Sequence, residues 1–116
     1  MSDIKRIDPG PRMSEAVIHD GRIYCAGMIP EDTSLDIAGQ VKQALAEIDS
    51  LLAKGGSDKT RILSAVIWLA DISDFAAMNK VWDAWVTPGQ TPARATVEAH
   101  LADPNMKVEI MVVAAI

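Results

Sequence analysis

Ile62-Leu63-Ser64-Ala65-Val66-Ile67-Trp68-Leu69 and Val108-Glu109-Ile110-Met111-Val112-Val113-Ala114-Ala115-Ile116 are the stretches whose reading decides the fold. The first is a β-branched and aromatic run too short for a helix of ordinary length. Both are apolar at nearly every position, the pattern of a strand buried on both faces. A strand with one wet face would alternate apolar and polar residues instead.

Working outward, Ala16–His19 and Arg22–Ala26 flank Asp20-Gly21, a pair favoured by a two-residue type I′ hairpin turn because both central residues need positive φ. A shorter strand over Ile4–Ile7 precedes the Pro9-Gly10-Pro11 break. From Thr33 the period turns helical. Thr33 stands three residues before Asp36, a capping-box-like start, and Val41, Ala44, Leu45, Ile48, Leu51 and Leu52 recur at spacings of three and four until Gly55-Gly56. A second helix is predicted with Asp74 as N-cap, a stripe of Phe75, Met78, Trp82 and Trp85, and a stop before Pro88-Gly89. Two strands follow, Ala93–Leu101 and Lys107–Ala115, separated by Asp103-Pro104-Asn105.

The resulting order is strand, hairpin, helix, strand, helix, strand, strand, an α+β arrangement in which two helices can cover only one face of the sheet. The second face of the two apolar strands needs cover that the chain does not possess, so packing against copies of the same protein is expected.

Composition narrows the function. The 116 residues fit a single domain, 1–116, and 49% hydrophobic with 23% charged residues is ordinary globular usage. Eleven Lys and Arg against 16 Asp and Glu give a net charge of −5, and no basic cluster offers a footprint for phosphates, which disfavours nucleic acid as a partner. The single Cys25 suits a reducing compartment. Met1-Ser2-Asp3-Ile4-Lys5-Arg6 carries charges where a signal peptide needs an apolar stretch, and the longest apolar runs are short of a membrane span. A cytoplasmic protein with no membrane partner is expected.

Two charged residues stand out. In Ala93–Leu101 the residues Ala93, Ala95, Val97, Ala99 and Leu101 share one face and Arg94, Thr96, Glu98 and His100 the other, which predicts that Arg94 points away from the helices. Glu109 is the only acid in its run and sits on the opposite face from Val108, Ile110 and Val112. Two readings stand for this pair. They satisfy each other as a structural ion pair, or Arg94 grips a small carboxylic acid with its planar fork while Glu109 holds a water or moves a proton. Elsewhere, His100 lacks the partners of a nucleophilic triad, His19 abuts a turn, and Cys25 reads as a packed small hydrophobe. The aromatic stripe reads as helix core. No metal-ligand spacing, P-loop or dinucleotide fingerprint is present, so no metal or organic cofactor is expected.

Thr91-Pro92-Ala93-Arg94-Ala95-Thr96-Val97-Glu98, followed by Lys107-Val108-Glu109-Ile110, resembles the RidA (YjgF) family of reactive-intermediate deaminases. Ala26-Gly27-Met28-Ile29-Pro30 resembles the family's Gly-x-Ile-Pro segment and Leu69–Phe75 its strand-to-helix junction, while Met78–Trp85 is especially similar to YoaB-type members. The resemblance implies a chorismate-mutase-like α+β fold assembled as a homotrimer with clefts between subunits. It implies hydrolysis of 2-enamino and 2-imino acids to 2-oxo acids and ammonia, with Arg94 clamping the substrate carboxylate and Glu109 positioning water. Met13, Ala26 and Thr96 then fall at substrate-binding positions, where the best-known deaminases carry tyrosine, serine and cysteine. These departures leave a second expectation beside the first: a non-catalytic sensor or carrier of small 2-oxo or amino acids on the same scaffold. The family has also borne the label of an RNA-cleaving translation inhibitor, and the acidic balance opposes that role.

Overall fold

Asp20 and Gly21 both adopt positive φ, 51° and 74°, and fold β2 (Ala16–His19) back onto β3 (Arg22–Cys25) as the hairpin predicted from the pair. The computed structural model describes residues 3–116; the reading of the extreme N-terminus includes Met1 and Ser2, which lie outside the described residues. The remaining elements are β1 (Lys5–Ile7), α1 (Ile37–Lys54), β4 (Ile62–Leu69), α2 (Phe75–Trp85), β5 (Ala93–Glu98) and β6 (Val108–Ala115). They form one six-stranded sheet in the order β1-β2-β3-β6-β4-β5. Only β4 and β5 run parallel, joined through α2. Strands β3 and β4 each pair antiparallel with β6, so α1 carries the chain across the slot that β6 later fills.

Several boundaries differ from the sequence reading, each for a local reason. The cap of α1 is Asp36, whose carboxylate accepts from the Gly39 amide at 2.9 Å, rather than Thr33. At the other end Gly56 takes φ +80°, and the amides of Gly56 and Ser57 bond to the carbonyls of Ala53 and Leu52, closing the last turn as a Schellman motif. Asp74 does occupy the N-cap position of α2 but makes no side-chain capping bond. A 3-10 turn at Ile72–Asp74 runs directly into that helix and is capped by Asp71. Strand β5 stops at Glu98 instead of Leu101 because it lies at the sheet's edge and β4, its one ladder partner, ends at Leu69 opposite Glu98.

The helices lie on one face. Val41, Ala44, Leu45, Ile48 and Leu52 of α1 and Met78 and Trp82 of α2 pack on Ile23, Ala65, Ile67, Leu69, Val108, Ile110, Val112 and Ala114 of the sheet. The other face carries Tyr24, Val66, Trp68, Met111, Val113 and Val97, half-buried or exposed. The two-sided apolar strands are therefore buried on one side only within a single chain. With extents of 46 × 38 × 20 Å the molecule is one helix layer on one sheet, and its shortest dimension has no third layer in it. Among the described residues no helix is long and apolar enough to cross a membrane.

Among the described residues Gln40 is the one buried polar side chain, fully enclosed on the inner side of α1. Its amide nitrogen lies 3.0–3.2 Å from the carbonyls of Thr33, Leu35 and Asn105, which share its two hydrogens, and its oxygen accepts from the Lys107 amide at 2.7 Å. One side chain thus ties the entry to α1 to the loop that launches β6. Gln40→Leu should lower unfolding stability by about 2–4 kcal/mol, since it leaves one amide and three carbonyls without this partner. Urea denaturation with an unchanged slope and a lowered midpoint would record that loss.

Candidate functional site

The sheet register places the two charged residues of interest. Arg94 is level with Ala65 of β4, and Ala65 is a buried residue of the helix-covered face. Neighbouring residues in register point to the same face, so Arg94 and Thr96 lie on the helix side, contrary to the expectation from sequence. Apolar residues were expected to face the helices. In β5 they do the reverse: Ala93, Ala95 and Val97 extend the bare apolar face, and the polar set turns toward α2.

Arg94 is half-buried there. Its guanidinium carbon stands 5.3 Å from the ring centre of Trp82 and 5.8 Å from that of Phe75, and one terminal nitrogen lies 4.0 Å from the Met78 sulfur. Among the described residues it has no acidic partner. The predicted stripe of α2 is core only in its middle, at Met78 and Trp82, while Phe75 is 42% exposed. Beside Arg94, the Thr96 hydroxyl oxygen is buried with no hydrogen-bond partner.

Glu109 occupies the opposite face. It is level with Trp68 of β4, which puts both on the bare side of the sheet, and β4 separates β6 from β5. Past Cys25 the chain leaves β3, then returns for a single bridge in which Met28 and Ile110 exchange backbone bonds at 2.7 and 3.0 Å. The intervening Ala26-Gly27 passes over Glu109, and a Cβ on Gly27 would land on the Glu109 carboxylate. Ala26 is half-buried and its amide donates to the Glu15 carbonyl at 2.8 Å. Met13 is 52% exposed, and its carbonyl accepts from the Gly10 amide.

The predicted residues thus fall into two half-sites. Arg94 and Thr96 form one on the helix face at the β5 edge. Glu109 and Ala26 form the other on the bare face, with Met13 on the segment that Glu15 ties to Ala26. Within one chain Arg94 and Glu109 are not side by side, so they do not satisfy each other as an intrachain ion pair. The role of Gly27 escaped the sequence reading, although a glycine just past a strand is the usual mark of close approach. Nothing in the sequence pairs Arg94 with Trp82, because that contact depends on which face of β5 meets α2.

Comparison with known proteins follows the same lines. Residues 3–116 match the family model described as Endoribonuclease L-PSP. The RutC family protein YoaB of Escherichia coli K12 is 51% identical over 113 residues, 97% of this chain and 98% of its own. A crystal structure of a YjgF protein family member from Neisseria meningitidis superposes with a TM-score of 0.95 at 51% identity, covering 97% of this chain and 94% of that one. A more distant relative, the 2-iminobutanoate/2-iminopropanoate deaminase of Rattus norvegicus, is 32% identical over 107 residues, 87% of this chain and 77% of its own. The chain belongs to the RidA (YjgF) family, among its YoaB-type members.

Two measurements test this geometry. Gly27→Ala should leave thermal stability within about 1 kcal/mol, since a flexible side chain can swing aside, yet displace the Glu109 carboxylate. A changed Glu109 carboxyl resonance in NMR would register the displacement. Burial pushes the Cys25 thiol from its ordinary 9.0 up to about 11. The neutral thiol is thus retained in the folded chain while the unfolded one ionises, so stability should fall as pH rises from about 9 to about 11. Cys25→Ala should lack that component of the alkaline loss in pH-dependent melts.

Proposed function

We propose that the chain is a cytoplasmic hydrolase that deaminates 2-imino and 2-enamino acids to 2-oxo acids and ammonia. It works in a closed homo-oligomer, a trimer by the family's pattern, whose clefts are each shared by two copies. The state of Arg94 carries this reading. Two of its contacts are ring faces and the third is a long bond from one terminal N–H to a sulfur, a weak acceptor, which leaves its other in-plane N–H donors open to a planar carboxylate. The Thr96 hydroxyl beside it, buried and unpartnered, supplies a further polar contact. The relationship to the rat deaminase supports the same chemistry.

Shared clefts are what the sheet geometry asks for. Arg94 and Glu109 occupy opposite faces of one sheet, so a substrate touching both takes the arginine of one copy and the glutamate of another. The bare apolar face around Glu109 is the surface a second copy would cover.

In the reaction an enamine first tautomerises to the imine, whose carbon is electrophilic once its nitrogen is protonated. Arg94 fixes the carboxylate, and Glu109 takes a proton from water as the oxygen adds to that carbon, giving a carbinolamine. Glu109 then returns the proton to the nitrogen, the C–N bond breaks, and the hydroxyl proton leaves as the 2-oxo acid and ammonia separate. Orientation of a reactive imine and one water supplies the acceleration, with general base assistance. The net charge of −5 opposes RNA as the substrate, whatever the family model's description.

The test generates a 2-imino acid with an amino-acid oxidase and follows the imine trapped by semicarbazide. The wild-type protein should lower the trapped signal, and Arg94→Ala should act at least about a hundredfold more slowly. Glu109→Gln should cost on the order of 10²–10⁴-fold. When the two inactive variants are unfolded together and reassembled in equal amounts, activity should recover to about a quarter of wild type, because one cleft in four then holds both native side chains. No recovery would overturn the shared-cleft reading. Wild-type protein without effect on the trapped signal would remove the enzymatic reading, and calorimetric binding of 2-oxobutanoate in its place would identify a carrier.

A further inference from the structure

Arg94 ends a line of aromatic and charged groups that the proposed reaction does not use. Phe75, Met78, Trp82 and Trp85 recur at spacings of three and four along α2 and so share one side of it. The Trp82 ring lies 5.4 Å from Trp85 at an interplanar angle of 47°. Trp85 is fixed in turn, its indole nitrogen donating to the Asp49 carboxylate of α1 at 2.9 Å and Lys59 standing 5.4 Å over its ring. Trp82 itself is only 5% exposed. The ring nearest Arg94 is therefore locked by packing and by a neighbour anchored to the other helix.

A guanidinium that waits for a carboxylate presents a design problem. A free arginine samples many rotamers and loses that freedom on binding, which weakens capture. An acidic partner would hold it still but would occupy its donors and cancel its charge. Aromatic faces avoid both costs: they attract the cation through the ring quadrupole and leave the N–H edge unengaged.

We propose that Trp82, assisted by Phe75, is a positioning residue that holds Arg94 in place for capture of a small carboxylate. This rests on reading Arg94 as the carboxylate clamp. Trp82 does not touch the reacting atoms, and it governs how readily Arg94 captures the carboxylate rather than how the captured substrate is oriented. Its loss should therefore raise KM and leave kcat nearly unchanged.

The experiment uses the full chain and 2-oxobutanoate as the probe. Calorimetry should give a dissociation constant about tenfold higher for Trp82→Leu, with recovery of most of the affinity in Trp82→Phe, which keeps an aromatic face. Phe75→Leu, at an exposed position with little risk to folding, should raise it about threefold. In the unliganded protein the Arg94 Nε–H resonance should be displaced by ring currents and lose that displacement in Trp82→Leu. If the wild type binds through Arg94 and Trp82→Leu binds equally well, the positioning role is overturned and the clamp reading survives. If the wild type binds neither 2-oxobutanoate nor pyruvate, the clamp reading fails and the positioning role falls with it.

Discussion

Strand β6 is apolar on both faces, and the chain has helices for only one of them. It lies between β3 and β4, and its inward residues Val108, Ile110, Val112 and Ala114 are at most 1% exposed beneath α1 and α2. Its outward residues Met111 and Val113 sit with Tyr24, Val66, Trp68 and Val97 on a face that no helix among the described residues covers. An apolar surface of this kind marks an interface more often than it marks tolerated exposure. The helix layer fixes which face is bare, and hence which side chains a neighbouring copy can reach.

The pleat decides the rest. Side chains alternate across a sheet with a period of two, so the register Ala65–Arg94 and the register Trp68–Glu109 assign the two charged residues to opposite faces. No rotamer change brings them together through β4. This removes the simplest structural explanation of both, an internal ion pair, and leaves each with surroundings of its own: rings and a sulfur around Arg94, the Gly27 backbone and the level of Trp68 around Glu109.

Most of the fold was legible in the sequence because its signals are local. Asp20-Gly21 specified its turn, Gly55-Gly56 ended α1 as the Schellman pattern requires, and the hydrophobic period separated helix from strand. The direction of Arg94 was not legible. Orienting β5 by its apolar residues assumes that apolar means toward the helices, and that assumption fails at an edge strand whose apolar set lies on the face that the helices leave bare. Gln40 was equally hidden. A glutamine on the inner side of a helix carries no sequence mark of the three carbonyls and one amide that converge on it, two of them from residues 65 and 67 positions further along the chain.

The position of Glu109 acquires its meaning from the same constraint. In the isolated chain the residue is half-buried, and water can solvate its carboxylate. Once a second copy covers the bare face, that solvation is lost, and an unpaired carboxylate costs several kcal/mol unless it gains a donor or a proton. In the proposed reaction a protonated imine and the water beside it would supply such partners, and a 2-oxo acid product carries no cationic nitrogen to replace the imine. In the proposed assembly, covering the face therefore does two things together: it buries the apolar residues that the helices cannot reach, and it gives Glu109 a stronger attraction for the reacting state than for the product.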